Sequence, residues 1–355
     1  MTKPLAKLTE GDYEQVVFCN QPDAGLRAII AIHDTTLGPA LGGVRMRPYR
    51  SEGEALEDVL RLARGMTYKA SISGVDLGGG KSVIIGDPAT DKTEALLRAM
   101  GRQIQALDGR YIAGQDIGTD SDDMAVIARE TPHVTCVAES AGGGGDPSFA
   151  TAFGVVAGIR AVLKEVRGAD SLRGRTIAIQ GVGHVGYFVA KYCHQGGAEL
   201  VVSDLSEAAA ERVRAEFGAE IVNADGIYEV ECDVFSPCSV GAVVNDRTLP
   251  RLRCAGISGG ANNVLAEDRH AAALAERGIC YAPDYLVNSG GLIHCQAVLR
   301  GGGELQRERI LERVGGIYDQ TLAVFRKAGA EGITTAAAAD RLAEERIRRA
   351  RQHPL

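Results

Sequence analysis

The chain has 355 residues, 45% of them hydrophobic, and a formal net charge of -7. That length supports about two domains with sizeable cores, and the acidic balance argues against nucleic acid as the main partner. The N-terminus has no apolar stretch of signal-peptide length, and no window reaches the roughly 18 uninterrupted apolar residues of a membrane span. The eight cysteines include no CxxC, and no histidine pair has HxxxH or HExxH spacing. The expectation is a cytoplasmic protein with buried, reduced thiols and with no membrane or metal partner.

In chain order, Val16-Val17-Phe18-Cys19 and residues 26–32 predict two strands around a turn containing Pro22 and Gly25. Residues 34–45, with Gly38, Pro39, Gly42 and Gly43, read as a loop. Ser51 and Glu54 read as a capping box. The helix they open carries Leu56, Val59, Leu60, Ala63 and Met66 at helical spacing. Lys69 lies one turn further on. It either snorkels and caps the helix end or holds its charge in a cleft for an anion.

Gly78-Gly79-Gly80-Lys81-Ser82 suggests a P-loop, but Val75 stands where the motif needs its first glycine. The following Val83-Ile84-Ile85 is strand-like where a helix is required. The glycines are read as leading into a strand with Lys81 at its mouth. Lys81 there is either an exposed lysine on a glycine turn or a partly desolvated ammonium with a lowered pKa. Asp91 and Glu94 open a further predicted helix, faced by Leu96, Leu97, Met100, Ile104 and Leu107. Tyr111-Ile112-Ala113 is a short strand, followed by Gly114-Gln115-Asp116. Asp116 is either catalytic or a turn cap, and Asp120, Asp122 and Asp123 read as a solvated helix start.

Residues 142–145 with Asp146-Pro147 form the clearest linker signal, so a domain boundary is drawn at 141/142. A long helix is predicted over residues 149–166. Then Ile177-Ala178-Ile179 leads into Gly181-Val182-Gly183-His184-Val185-Gly186, a GxGxxG. A helical stretch ends at Gly196-Gly197, and Leu200-Val201-Val202 ends in Asp204, about 20 residues on, where a ribose hydroxyl would be gripped. Glycines let backbone approach a pyrophosphate, and a helix N-terminus stabilises its charge. The alternative is a tight βα turn with no ligand. Asp204 favours NAD over NADP because a carboxylate repels a 2′-phosphate. Further βα alternation follows, with Ser206 as a helix cap and strands at residues 233–235, 256–257 and 279–281. The loop 258–263 (SGGANN) is able to present amides to a cofactor. The whole argues a doubly wound parallel sheet. Residues 338–351 predict a charged helix whose Arg346, Arg348, Arg349 and Arg351 suit its dipole.

Six phrases in this order resemble the leucine/phenylalanine/valine dehydrogenases of the glutamate dehydrogenase superfamily. They are AIIAIHDTTLGPALGG (28–43), RGMTYK (64–69), GGGKSVIIGDP (78–88), GQDIGT (114–119), GANN (260–263) and YAPDYLVNSGG (281–291). The resemblance implies reversible, NAD-dependent oxidative deamination of a hydrophobic L-amino acid to its 2-oxo acid and ammonia. It implies that Lys81 and Asp116 are catalytic, and that Lys69 binds the substrate carboxylate with help from Asn288. It places the Gly42-Gly43 backbone, Leu41, Gly114, Leu292 and Cys295 around the substrate. Thr151, Ala261, Asn262 and Asn288 would serve the cofactor beside Gly181, Gly183, His184, Val185, Gly186 and Asp204. It also implies a homo-oligomer and an α/β fold of two domains. The first is a catalytic domain, 1–141 completed by 331–355; the second is a Rossmann-type domain, 142–330.

Within this family, leucine-preferring members tend to have alanine at the position of Gly114 and phenylalanine-preferring members glycine. Leu292 also matches the aromatic-preferring members, whereas Leu41 matches the leucine enzymes. Phenylalanine is therefore expected as a good substrate, alongside or ahead of leucine. His294, Cys295 and Ser289 stand where many members have Asn, Val and Ala, and residues 296–305 differ from the usual acidic segment. These departures leave the side-chain preference and the oligomer open. Two other readings compete. A hydroxy-acid dehydrogenase on this fold would bring an Arg/His catalytic pair, which is not found. An NAD(H) sensor without turnover would not need Lys69, Lys81 and Asp116 together.

Overall fold

β1 (Gln15–Gln21) and β2 (Leu26–Asp34) form an antiparallel hairpin closed by a short 3-10 turn and by Gly25 in the left-handed conformation. These observations come from a computed structural model, which describes residues 8–141, 143–301 and 307–352. The chain forms two compact units. One comprises Met1–Asp146, Cys295–Leu305 and Ala343–Leu355; the other comprises Pro147–His294 and Gln306–Leu342.

In the first unit β3 (Ala40–Arg47), α1 (Glu52–Ile72), β4 (Gly78–Ile85), α2 (Glu94–Gln105), β5 (Tyr111–Gln115) and α3 (Ser121–Ile127) follow the hairpin. The five-stranded sheet has the order β1-β2-β4-β3-β5. β2 meets β4 antiparallel, and β3 runs parallel to both β4 and β5. Side chains alternate across β2 as the pleat requires. Ile29 and Ala31 pack with Val83 on Leu56, Val59 and Leu60 of α1. Ile30 and Ile32 pack with Met46 and Ile84 on Leu97, Met100 and Ile104 of α2 and Met124 of α3. With both faces covered, β2 reads as a continuous apolar run instead of an alternating one.

Several local expectations change here. Residues 40–45 are strand, not loop. Glycine in a strand interior marks close backbone approach, and a Cβ on Gly42 would fall 1.8 Å from the Gly80 carbonyl oxygen. Likewise the three glycines before Lys81 belong to β4 itself. A Cβ on Gly79 would fall 2.1 Å from the Thr67 amide of α1, so Lys81 lies mid-strand instead of at a strand mouth. Ser51 caps α1 by accepting the Glu54 N–H at 3.1 Å, but the Glu54 carboxylate takes the Arg50 N–H at 2.9 Å, so the box is half made. Thr93, not Asp91, caps α2. Asp123 is buried, closing a capping box with Asp120 and pairing with Lys92 at 2.7 Å.

The C-terminal arginines also do more than complement their own helix. Arg346 donates to the carbonyls of Ser71 at 3.1 Å and Val75 at 2.7 Å, and it pairs with Asp76 at 2.9 Å. It thereby supplies donors to the end of α1 and the turn after it. Arg351 pairs with the buried Asp34 at 2.6 Å.

The second unit contains α4 (Ser148–Arg167), β6 (Thr176–Gln180), α5 (His184–Gln195), β7 (Glu199–Ser203), α6 (Glu207–Phe217), β8 (Glu220–Ile221), β9 (Cys232–Pro237), β10 (Cys254–Ile257), α7 (Arg269–Glu276), β11 (Cys280–Tyr281) and α8 (Asp284–Val287). Beyond these lie α9 (Gly290–Gly301), α10 (Arg307–Gly315), α11 (Ile317–Glu331) and α12 (Thr335–Gln352). The strands form a parallel sheet in the order β11-β10-β9-β6-β7-β8. This is the doubly wound architecture expected of the βα alternation. Ala178, Val201, Phe235, Ile257 and Tyr281 build one core with Leu274 of α7. α4 lies against β9, β10 and β11. α8, α9, α10 and α11 have no counterpart in the sequence expectations.

Candidate active site

β3 runs between β4 and β5, and its glycines leave room for the charged groups that its neighbours carry. Gly43 pairs with Gly114 of β5, and Asp116 stands just past the end of that strand. Lys81 is buried in β4, and its Nζ forms an ion pair with Asp116 Oδ2. On the other carboxylate oxygen, the Ile117 N–H donates at 2.7 Å and Arg45 stands at 3.5 Å. Burial alone would raise the Asp116 carboxyl, but the charges of Lys81 and Arg45 outweigh it and hold it below the ordinary carboxylate value.

The turn after β5 is fixed by Thr119, whose hydroxyl accepts the Asp116 N–H at 3.0 Å and donates to the Val44 carbonyl at 2.8 Å. Beneath the pair, the fully buried Tyr111 donates to the Gly42 carbonyl at 2.7 Å and lies 3.1 Å from the Ser82 hydroxyl. These contacts hold an ammonium from β4 and a carboxylate from the end of β5 together across the glycines of β3.

Lys69 sits half-buried in the last turn of α1, where its carbonyl accepts the Ser73 N–H at 3.2 Å. Its charge bears on the buried thiol of Cys295. Cys295 Sγ lies 3.4 Å from Cys136 Sγ, and this hydrogen bond together with burial pushes the Cys295 thiol well up. Gly114 belongs to the same cluster, because a Cβ on it would stand 3.4 Å from Thr135 Cγ2 and 3.6 Å from Cys136 Sγ. Leu41 on β3 and Leu292 on α9 are both buried. All eight cysteines are free thiols.

In the second unit the glycine turn has the shape a dinucleotide needs. Gly181 takes φ +86°, and a Cβ on Gly186 would fall 1.9 Å from the Gly181 carbonyl oxygen, so α5 packs directly on the turn. Val185 is half-buried beside it, and Val182 is buried. Around Gly183 no atom lies within 4 Å of a would-be Cβ, and no side chain caps α5, which begins at the exposed His184. An open, uncapped helix start offers its backbone amides to an anion. At the end of β7, Asp204 accepts the Val182 N–H at 2.7 Å and the Ser206 N–H at 2.8 Å. A carboxylate has about four acceptor positions, so capacity remains for ribose hydroxyls.

Across the same unit, Asn288 Nδ2 donates to Asn262 Oδ1 at 2.8 Å, joining two of the expected positions. Asn262 is exposed, while the Ala261 amide is already given to the Pro237 carbonyl at 3.0 Å. The loop therefore offers side chains more than that amide. Thr151 donates to the Pro147 carbonyl at 3.2 Å. The residues present fit a dinucleotide. Asp246, Glu267 and His270 approach one another like metal ligands. However, Arg269 forks onto both carboxylates, and His270 Nδ1 accepts the Glu267 N–H at 3.0 Å. That trio reads as a charge-paired cluster at the start of α7.

Residues 13–133 match the family described as Glu/Leu/Phe/Val dehydrogenase, dimerisation domain, and residues 142–211 and 202–353 match Glutamate/Leucine/Phenylalanine/Valine dehydrogenase. The chain belongs to this family. It is similar to a leucine dehydrogenase of Thermoactinomyces intermedius, at 54% identity over 95% of this chain and 91% of that one. It is also similar to a phenylalanine dehydrogenase of the same organism, at 49% identity over 95% and 92%. Among solved structures, an L-tryptophan dehydrogenase from Nostoc punctiforme superposes with a TM-score of 0.86 at 42% identity, covering 98% of this chain and 99% of that one. The protein is an amino-acid dehydrogenase that carries out oxidative deamination with NAD. Among the described residues no helix is long and apolar enough to cross a membrane.

Attention to strand mouths and the glycine turn points to Lys81, Asp116 and Asp204. It misses Arg45, Asp58, Thr119, Thr135 and Cys136. Period-two alternation on β3 puts Arg45 on the face of Gly43, but that signal is lost when residues 34–45 are read as a loop. Thr135 and Cys136 carry no comparable signal, since they lie in irregular chain after α3.

Proposed function

We propose that this dehydrogenase acts on bulky hydrophobic L-amino acids, with Lys81 and Asp116 moving protons and Lys69 anchoring the substrate carboxylate. The buried Lys81–Asp116 ion pair beside Gly43 carries this reading. Proton transfer needs an acid and a base held at fixed positions, and here one comes from β4 and the other from the end of β5, on either side of β3 in one sheet. When bound, NAD supplies the hydride acceptor, with Gly181, Gly183, His184, Val185 and Gly186 at its pyrophosphate, Asp204 at a ribose, and Thr151, Ala261, Asn262 and Asn288 toward the nicotinamide end.

Loss of hydride from the substrate α-carbon leaves an iminium, which water attacks. Lys81, as the neutral amine left once its ion-pair proton has passed to Asp116, takes a proton from that water. Asp116 passes protons to and from the substrate nitrogen until ammonia leaves. Lys69 holds the carboxylate, and the Gly42-Gly43 backbone, which admits no side chain, keeps the α-carbon close to the proton carriers. Leu41, Gly114 and Cys295 surround the side chain, and Gly114 leaves the space an aromatic ring requires. The enzyme works in the cytoplasm as a homo-oligomer. A sensor without turnover would have no use for a buried lysine–aspartate pair.

The test is NADH formation at alkaline pH with L-phenylalanine, L-leucine, L-valine and polar amino acids. Turnover confined to polar substrates would overturn the substrate class. Tight NADH binding without turnover of any amino acid would restore the sensor.

A further inference from the structure

Behind the Lys81–Asp116 pair, the charges alternate through the sheet and into α1. Arg45 reaches Asp116 Oδ1 at 3.5 Å with one guanidinium nitrogen and Asp58 Oδ2 at 3.0 Å with the other. Asp58, on α1, also accepts from the Tyr49 hydroxyl at 2.9 Å and from Arg61 at 2.9 Å. Tyr49 is itself covered by the Arg47 guanidinium, 4.5 Å from its ring centroid. Arg45, Asp58, Asp116 and Lys81 are each largely buried, with side chains 9 to 15% exposed, whereas Arg61 opens to solvent. The result is a five-member row, Lys81–Asp116–Arg45–Asp58–Arg61, that runs from the proton carriers to the surface.

We propose that Arg45, braced by Asp58 and Tyr49, is a positioning residue that fixes the Asp116 carboxylate from the side opposite Lys81. The inference rests on the reading of Asp116 as a proton carrier. A carboxylate held by Lys81 alone would follow that lysine as its proton comes and goes. A second, permanently charged partner keeps it in place, because a guanidinium does not lose its proton in proteins. Arg45 needs a brace of its own, since an unpaired buried cation is costly, and Asp58 supplies it.

The groups facing Asp116 are Lys81 from β4, Arg45 from β3 and Tyr111 from β5, with Asp58 behind Arg45 on α1. Removing the Arg45 charge leaves Lys81 as the single cation among these. The Asp116 carboxyl then titrates at higher pH.

The experiment is a double-mutant cycle on the full-length enzyme with L-leucine, using Arg45→Gln, Asp116→Asn and the pair, with kcat, KM for NAD and the pH profile of kcat/KM measured. Arg45→Gln is expected to lower kcat about tenfold or more, move the acid limb of the profile to higher pH and leave KM for NAD unchanged. In the Asp116→Asn background it should change kcat less than about twofold, since residues that act as a unit are not additive. Asp58→Asn keeps the Arg45 charge but loosens its brace, and it should reproduce the effect in weaker form, which keeps the test open if Arg45→Gln folds poorly.

An undiminished Arg45→Gln effect in the Asp116→Asn background would overturn the proposal. So would a wild-type kcat and pH profile in Arg45→Gln while Asp116→Asn is crippled. Wild-type turnover in Asp116→Asn alone removes the reading of Asp116 itself, and the Arg45 proposal falls with it.

Discussion

A β-carbon on Gly43 would stand 2.7 Å from Cβ of Asp116. The same atom would fall 2.8 Å from the Gln115 carbonyl oxygen and 3.1 Å from Lys81 Nζ. Gly43 is thus glycine because Asp116, Gln115 and Lys81 occupy the space of its side chain. Gly43→Ala should push Asp116 and Lys81 apart and cost activity by about 10²-fold, the scale of an ångström-sized misplacement. Gly42→Ala meets backbone at 1.8 Å and should lower stability outright, by about 1–3 kcal/mol or more. Thermal melts and kcat on both variants check the contrast, with Gly43→Ala the more active of two equally stable proteins being the unexpected outcome.

The roles assigned to the charged trio separate in kinetics. Lys81→Ala and Asp116→Asn should each reduce kcat by about 10²–10⁴-fold, the usual contribution of a positioned acid or base. Lys69→Ala should act largely through KM for the amino acid, because a carboxylate anchor binds ground and transition states alike. Near wild-type turnover in Lys81→Ala would remove the assignment.

Asp204 does two jobs that can be told apart. It ties Val182 and Ser206 amides and presents a negative charge at the end of β7. A 2′-phosphate desolvated beside it should cost several kcal/mol, on the order of a broken buried pair. Wild type should therefore strongly prefer NAD, and Asp204→Ser combined with Leu205→Arg should raise the NADP-to-NAD ratio of kcat/KM. Leu205 is 94% exposed, so an arginine there meets no steric obstacle. The double variant should also melt at lower temperature, since one of the two amides loses its acceptor. An unchanged ratio would show that the carboxylate does not set cofactor choice.

Acid sensitivity follows from the same row of charges. Asp116 and Asp58 are buried enough that burial alone would raise them, but Lys81 and Arg45 at Asp116, and the Tyr49 hydrogen bond, Arg45 and Arg61 at Asp58, hold both below the ordinary 3.8. A depressed folded value means that the stabilisation is present above about pH 3.8 and is lost as pH falls through the folded value. The urea midpoint should therefore drop steeply below about pH 4, and Asp58→Asn should flatten that drop. An equally steep drop in Asp58→Asn would mean that other carboxylates govern acid unfolding.

The Rossmann-type unit is nearly transparent in the sequence, because its strands are short apolar runs and its turn needs glycines at fixed places. The position of Asp204 at the end of β7 is legible for the same reason, whereas Asn262 enters only through the family resemblance. The first unit hides more. Its β3 looks like a loop because glycine is ordinarily a breaker, and single-residue propensity cannot register that Gly80, Gln115 and Asp116 press against it. Lys81 looks like the mouth of a strand for the same cause. Arg45 and Asp58 lie 13 residues apart and meet only because α1 folds back over the sheet, which no local pattern reports. Cys136 and Cys295 are 159 apart, and their contact is invisible without the fold.

Side-chain choice should turn on Gly114. A Cβ there would stand 3.4 Å from Thr135 and 3.6 Å from Cys136, ordinary contact distances, so Gly114→Ala should fold and merely fill space. Filling it should penalise an aromatic ring more than a branched aliphatic chain. One methyl-sized change shifts discrimination by about 1–3 kcal/mol, roughly 10–200-fold. The wild type should accept L-phenylalanine alongside L-leucine, and Gly114→Ala should lower the phenylalanine-to-leucine ratio of kcat/KM by about tenfold with little change in melting temperature. Buried Cys295, 3.4 Å from Cys136, offers an independent check. Cys295→Val removes a thiol contact and adds a methyl to the same cluster, so it should move the ratio in the same direction as Gly114→Ala. If the wild type ignores phenylalanine, or if neither substitution moves the ratio, the Gly114 cluster does not set the size of the pocket and preference must be written elsewhere in the chain.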